Sequence, residues 1–580
     1  MSKLRPRHTM VFLLLAACST TTSARNDGPK NPPSGDGTPA VSDGAGKVTP
    51  PDLKQLFVPL PSSGAVPVTL HPGSTVPKDK AVTVAFGVPF PRDVIQDASK
   101  LRVTTEKGEE LPSGTKELLR WRQLAGTATS LRAALVVVEV TFSAGQPVSL
   151  QVEYGAAPTK TLAPPGDPTS AWVSIAKGPF PDEYPAADGI KEPAVYATLS
   201  PEWLSACLLR SRTTKAHSDA SWKSFDDFLV GGSKTAVNDV GAKVEKINYT
   251  TEAAPWLFDR AMTLFGTYIR TGDVKWLQHA HRATQFYAKH VDNSGYFDLT
   301  TSSEPDVKYS YGEAMLLDLM LTGDTSLLVL IEKVASAGQS WNPTYQMSTK
   351  FWTERHQTYA LLAALSAWEA TGKAAHATRV KNVLQACVNL AKKPADSSWP
   401  VDGCLLHKYS VHEGGGTAKP ICSPWMSALL SDAVWRVYLN AGDKTLGDSA
   451  LGLVASMAEY VQKHAMYDGA EGLKKKVPYY LASSVYQSPK DPWTDLEHAC
   501  DVAGLVARGA WAKKSLGSSN TDLLAAADAL VKACIYSLDY WHRPFGPNAT
   551  LAEWRLDPPR KFSWWFGTTL DIQWMMANAK

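Results

Sequence analysis

The sequence predicts a two-part protein: a small N-terminal β-sandwich or barrel over residues 56–162, then an (α/α)6 toroid over residues 195–580. Three observations predict it. Between about Leu56 and Leu162 the apolar residues alternate in short runs bounded by Gly and Pro, the mark of strands and tight turns. From about Ser200 the apolar period becomes helical. A helix–Gly–cap–helix signature then recurs, and an internal repeat decides architecture before any local propensity does.

The clearest strand runs are Ala81–Phe86, Leu101–Thr105, Ala134–Phe142 and Val148–Tyr154. A weaker one, Val66–Leu70, is interrupted by Pro67, which cannot donate to a ladder. About 100 residues of such strands suit one small sandwich or barrel.

The helical signature appears at Tyr268–Asp273, Leu319–Asp324, Trp368–Lys373 and Tyr438–Asp443, with a degenerate copy at Leu516–Asp522. Gly supplies the left-handed residue that ends one helix, and Asp or Ser caps the next. The connections between hairpins are much longer, at residues 291–308, 339–350, 392–423, 464–492 and 542–561. They lead into helix starts near Thr251, Tyr311, Trp352, Pro424, Pro492 and Ser563, with the region near Pro201 supplying a closing helix. Six starts imply a ring with tight corners at one end and long loops at the other. An open helical solenoid is the alternative, but long aromatic loops concentrate function.

The first residues read as a targeting segment. Lys3, Arg5 and Arg7 precede the apolar run Met10–Ala17, which is too short to span a bilayer, and Leu15-Ala16-Ala17-Cys18 follows. This resembles the bacterial lipobox. The resemblance implies acylation of Cys18, with Ser19 favouring the outer membrane over inner-membrane retention. Residues 19–55 are rich in Ser, Thr, Gly and Pro and read as a disordered tether.

Charge is nearly balanced, with 59 Lys and Arg against 56 Asp and Glu; without a basic run, nucleic acid is excluded as a partner. The expected partners are a polysaccharide or oligosaccharide and, through the anchor, the membrane. Six cysteines follow Cys18. Cys404 and Cys422 flank a loop and are the expected disulfide, while Cys387, Cys500 and Cys534 sit in apolar helical patterns and read as buried thiols. No Cys-x-x-Cys pair occurs, and no cofactor is expected.

The phrase Phe86-Gly-Val-Pro-Phe-Pro91, followed by Arg120-Trp-Arg-Gln123, resembles the N-terminal β-domain of exo-acting rhamnogalacturonan lyases. The resemblance covers about 100 residues, and the central β-sandwich of those proteins has no room here. It implies a polysaccharide lyase acting by β-elimination on an acidic, uronate-containing glycan.

Ionisable and aromatic residues pool at the six helix starts. The first offers Tyr249, Glu252 and Trp256. The second offers Tyr309, Tyr311 and Glu313. The third offers Trp352, Glu354, Arg355 and His356. The fourth is preceded by His407, Tyr409, His412 and Glu413 and carries Trp425. The fifth offers Trp493, Asp495, Glu497 and His498, and the sixth Trp564 and Trp565. A lyase needs a cation for the carboxylate, a base and an acid: Arg355 suits the first, and His356 and Tyr311 the other two. His412, Glu413 and His498 extend the candidate set. His407, His412 and Glu413 also raise a divalent cation, though their spacing matches no standard zinc signature. A hydrolase would use a carboxylate pair drawn from Glu313, Glu354 and Asp495. A glycan-binding lipoprotein without catalysis is the third reading.

Overall fold

The computed structural model describes residues 56–175, 189–230, 252–299, 305–339, 341–342, 353–412, 418–469, 475–543, 553–554 and 560–580. Cys18, the tether, Tyr249, Trp352 and Glu413 lie outside them.

The strands are β1 (Gly64–Pro72), β2 (Ala81–Pro89), β3 (Leu101–Thr105), β4 (Glu110–Leu111), β5 (Ser113–Arg120), β6 (Leu131–Thr141), β7 (Val148–Tyr154), β8 (Val173–Ser174), β9 (Lys191–Glu192) and β10 (Val195–Leu199). One antiparallel sheet runs β10-β1-β7-β3-β4 and a second runs β2-β6-β5. Strand β1 is internal despite Pro67. Its pairing with β10 starts at Val68 and leaves the proline opposite Gln151 of β7 alone. Strand β10 lies beyond residue 162, so the first sheet borrows its edge from the chain's approach to the helices. In β1 the buried residues alternate as Val66, Val68 and Leu70, but β6 is buried continuously from Leu131 to Val138. A strand buried on both faces has lost its alternation because something covers its outer face.

What covers it is the helical part. The inner helices are Arg260–Thr271, Glu313–Thr322, Thr353–Thr371, Pro424–Leu439, Ala499–Ser515 and the pair Lys561–Gly567 and Ile572–Asn578. Each packs on the next, and Lys561–Gly567 packs back on Arg260–Thr271, so they close a ring. Outer helices Val274–Lys289, Leu327–Gly338, Ala374–Lys392, Lys444–His464 and Thr521–Trp541 alternate with them. The corners Gly272, Gly323, Gly372 and Gly442 are left-handed, with φ of 69°, 84°, 71° and 81°. Asp273 and Asp443 cap the helices that follow, accepting from the backbone N–H of Lys275 and Leu446.

The β-part seals the corner end of this ring. A Cβ on Gly87 of β2 would lie 2.1 Å from the carbonyl oxygen of Met320, so only glycine lets the strand approach the second inner helix. Leu124 and Ala125 donate backbone hydrogen bonds to the Asn440 and Ala441 carbonyls at 2.7 and 2.9 Å. Arg92 reaches the Leu439 carbonyl at 3.0 Å, and Trp121 donates to the Phe90 carbonyl at 2.9 Å. The residues that carry the lyase resemblance, 86–91 and 120–123, thus form and border the seam between the two parts. Both parts lie within one compact unit, Val48–Lys580.

Inside the ring, charges lie buried in helices that otherwise read as apolar. Arg132 of β6 pairs with Glu369, which also takes Arg436 at 3.0 Å. Arg436 pairs with Glu313. Arg210 pairs with Asp432, and Arg508 bridges Asp432 at 3.1 Å and Asp571 at 2.7 Å. All eight groups are nearly inaccessible, and four arginines match four carboxylates. A buried pair contributes little net stability, but deleting one partner strands the other at a cost of about 3–5 kcal/mol. Arg508→Met is therefore expected to lower the unfolding free energy by about that amount in urea denaturation. A loss under about 1 kcal/mol would contradict the network's role.

Two disulfides form. Cys404–Cys422 is the expected one, with Cα atoms 6.4 Å apart. Cys500–Cys534 corrects the expectation of free thiols: Cys500 sits in the first turn of the fifth inner helix and Cys534 on the outer helix packed against it, with Cα atoms 4.5 Å apart. Cys387 and Cys207 are buried thiols. No helix among the described residues is long and apolar enough to cross a membrane.

Candidate functional site at the loop end of the ring

Groups from all six inner-helix starts meet at the end opposite the β-part. The third start begins with Glu354, Arg355 and His356, all buried. Glu354 accepts the backbone N–H of Ser423 at 3.0 Å, and Ser423 itself caps the fourth inner helix, so Glu354 locks two starts together. Its other oxygen lies 3.6 Å from His407 Nδ1. His356 Nε2 lies 3.3 Å from Asp306 Oδ1, and its ring stacks on Trp341 at 5.2 Å. Although burial opposes it, His356 and Lys308 hold the Asp306 carboxyl well below the usual carboxylate range.

Arg355 is flanked by Asp306, Tyr309, Tyr359 and Tyr480; burial lowers its proton affinity and these neighbours partly restore it. Burial pushes Tyr309 up to about 12, with Arg355 pulling against the shift. The loop closed by Cys404–Cys422 delivers His407 and His412, whose Nε2 and Nδ1 atoms lie 3.0 Å apart. Burial, then the charges of His407 and Arg355, keep the His412 imidazole well below its ordinary value, so it is uncharged at neutral pH.

An aromatic wall joins the remaining starts. Trp425 stacks on His498 at 5.2 Å and 19°. Trp564 lies 4.3 Å from the His498 ring, and its Nε1 donates to Asp501 at 2.9 Å. Tyr480 lies 6.2 Å from Trp425 and 6.1 Å from His412, and Phe258 meets Trp425 edge-on at 5.9 Å. Tyr309, Tyr480 and Trp564 are half-buried, so their rings offer partly open faces for a sugar's apolar side.

The first start is built differently from the sequence expectation. Pro255 breaks the chain into a short turn, and the helix begins at Arg260 rather than near Thr251. Phe258 and Asp259 precede it with φ of 72° and 55°, successive non-glycine residues in the left-handed region. Each such residue costs about 1–3 kcal/mol, and such strain collects at functional sites. Asp259 Oδ1 accepts the Met262 N–H at 3.0 Å, while Phe258 N–H donates to the Tyr311 hydroxyl oxygen at 3.1 Å. Burial raises the Asp259 carboxyl from 3.8 to about 7, against the pull of the Met262 N–H and Arg210.

Several expected site residues serve the fold instead. Trp256 is fully buried and stacks on Phe286 at 5.3 Å, and Trp565 is buried against Phe228 with its Nε1 on the Glu497 carbonyl. Glu313 belongs to the internal charge network, because the second inner helix begins deep: a Cβ on Gly312 would meet the Ser366 side chain at 2.9 Å, far along the third. Asp495 accepts from the Tyr467 hydroxyl at 2.5 Å, Glu497 takes Lys561 at 2.9 Å, and the N-cap here is Asp491. Tyr409 packs near Tyr486 at 5.6 Å, and Glu252 is exposed. The Trp493 side chain falls outside the described residues. Sequence reasoning passed over Asp259, Phe258, Asp306, Tyr359, Tyr480 and Asp501. Two of these carried a spacing signal: Tyr359 is four residues after Arg355 and Asp501 three after His498, one helical turn in each case. Among the described residues, no group of three His, Cys, Asp or Glu side chains is arranged to hold a metal ion.

No known family profile and no curated protein matches the sequence. Solved structures similar to it include a sugar epimerase from a ruminal bacterium, at 13% identity and a TM-score of 0.38 over 55% of this chain and 87% of that one. The cellobiose 2-epimerase of Bacillus thermoamylovorans B4167 shares 13% identity with a TM-score of 0.35, over 55% of this chain and 87% of its own. An inactive variant of the α-1,6-mannanase of Salegentibacter sp. HEL1_6, in complex with α-1,6-mannotetrose, shares 13% identity with a TM-score of 0.34, over 58% and 90%. Overlaps this distant carry no functional argument, which rests on the site's geometry.

The elevated Asp259 has a consequence for stability. A carboxyl whose folded value lies above its unfolded one keeps a proton that the unfolded chain has released. Its contribution is therefore unpenalised below about pH 4 and is lost as pH rises toward about 7. Asp259→Asn removes that titration. It is expected to raise stability over the wild type by on the order of 3–4 kcal/mol at about pH 8, with no gain near pH 3.5. Urea denaturation at the two pH values checks this; an equal difference at both would contradict it.

Proposed function

We propose that this chain is a carbohydrate-processing enzyme that removes a proton beside the carboxyl of a uronate-containing glycan, a polysaccharide lyase acting by β-elimination. The observation that carries the reading is that Arg355 and an uncharged His412 lie beside partly open aromatic faces, with the buried Tyr311 phenol reached through Tyr359, whose ring lies 5.2 Å from it and which itself neighbours Arg355. Arg355 would pair the uronate carboxylate and offset the charge that builds there as the neighbouring proton leaves. His412 suits the base, because a base must be uncharged at working pH, whereas His356 is engaged with the Asp306 carboxylate. Tyr311 suits the acid. Burial holds its proton, and Phe258 N–H occupies an oxygen lone pair, so its own O–H must donate elsewhere. Tyr309, Tyr480 and Trp564 would stack on the sugar rings.

A second reading has one specific observation in its favour. Asp259 keeps its proton to about pH 7, the property of the acid in glycoside hydrolysis. Against it, Glu354, Asp495 and Glu313 are each engaged elsewhere.

The lipobox-like Cys18 supports placing the protein in the bacterial envelope on a lipid anchor. A Cys18→Ala form released from the detergent phase would agree with that placement.

Incubation with polygalacturonate, alginate and glycosaminoglycans decides the chemistry. A lyase raises ultraviolet absorbance through its unsaturated product, and Arg355→Ala is expected to lower kcat/KM by about 100-fold or more. Reducing ends without absorbance indicate a hydrolase, and binding without products a non-catalytic receptor; either result contradicts the elimination reading.

A further inference from the structure

We propose that Asp259 is a positioning residue that sets how readily Tyr311 releases its proton, an inference that rests on the elimination site above. The Tyr311 hydroxyl oxygen is held by a backbone N–H. That N–H belongs to Phe258, and Phe258 is aimed by the left-handed pair it forms with Asp259. The pair is held from the Asp259 side. Its carboxyl accepts the Met262 N–H, and its carbonyl accepts the Thr263 hydroxyl and N–H, both at 3.1 Å. The same turn places the Phe258 ring against Trp425 and Trp564, each with centroids 5.9 Å away. One turn therefore fixes both the hydrogen bond to the phenol and one side of the aromatic wall.

Asp259 also acts through its charge. When ionised it strengthens proton retention by Tyr311, Tyr359 and Tyr287, which lie on the approach to the second inner helix, on the third inner helix and on the first outer helix. Arg210 is the cation that faces it. Its burial puts ionisation near neutrality, so the phenol is the better proton donor below that point and the poorer one above it. A simple N-cap would give no such dependence. The charge network one layer deeper, where Arg210 pairs with Asp432, fixes the cation side of this balance.

Asp259→Asn keeps an oxygen for the Met262 N–H, and Asn is as good a cap as Asp, so the turn persists while the titration is lost. In the wild type, kcat on the uronate substrate is expected to fall about tenfold from pH 6 to about 8, while in Asp259→Asn it stays flat within about twofold, with KM changed less than about threefold. A uniform loss of kcat with the wild-type slope retained would leave Asp259 a helix cap only and overturn the proposal. Carbon-13 resonances of labelled tyrosine ζ-carbons, with Tyr311 assigned through Tyr311→Phe, provide a readout that needs no turnover. The Tyr311 signal is expected to move between pH 6 and about 8 in the wild type, with its midpoint near 7, and not in Asp259→Asn. A stationary wild-type signal would overturn the proposal even if Asp259→Asn does not fold. If no uronate polymer is turned over, the elimination reading fails by itself, and the resonance still decides whether Asp259 acts on Tyr311.

Discussion

Arg132, Arg210, Arg436 and Arg508 neutralise Glu313, Glu369, Asp432 and Asp571 inside the ring, at a depth where none of these charges is stable alone. The network draws a residue from β6, one from the segment after the short helix Pro201–Ala206, and others from the second, third, fourth, fifth and sixth inner positions. Each inner helix that contributes is held in rotation by a charge whose partners sit on neighbouring elements of the same network. Helices whose apolar residues run all the way round would otherwise slide past one another at little cost. Charge pairing is directional, and it specifies which face of each helix looks inward.

That constraint sets the vertical order of the molecule. Below the network the glycine corners are covered by β2, β6 and residues 121–125, so the β-part works as a lid on the closed end. Above it lie Asp259, Tyr311, Arg355, His412, His498 and Trp564. The strained Phe258–Asp259 pair stands at the boundary, touching the Tyr311 phenol above and facing Arg210 below.

Much of this was legible in the sequence. The glycine corners, their Asp caps and the runs Leu101–Thr105 and Val148–Tyr154 were marked by local chemistry, because turn and cap preferences act over a few residues. The Cys404–Cys422 bridge was legible for the same reason. Properties decided by distant packing were not. Strand β10 is set by its register with β1, and Cys500 meets Cys534 only because two helices pack. At the site, Arg355, His412, His498 and Trp564 were marked by type and position. Trp256 and Trp565 looked the same in sequence, yet packing turned them into the core. Asp259 was invisible, since the sequence puts the helix start near Thr251 and this carboxyl inside the helix, and nothing local reveals its burial or the left-handed backbone it shares with Phe258. The buried charges did leave a signal, as Asp432 and Arg436 stand one turn apart inside an apolar run.

The central claim is that one end of the ring receives the saccharide and the other is closed by the β-part. Hydrogen exchange with and without a bound uronate oligosaccharide tests it directly. The account predicts added protection at the backbone around Phe258, Tyr311, Arg355, Tyr480 and Trp564, with none at Gly323, Gly372 and Gly442. Protection confined to those corners or to the outer helices would contradict it.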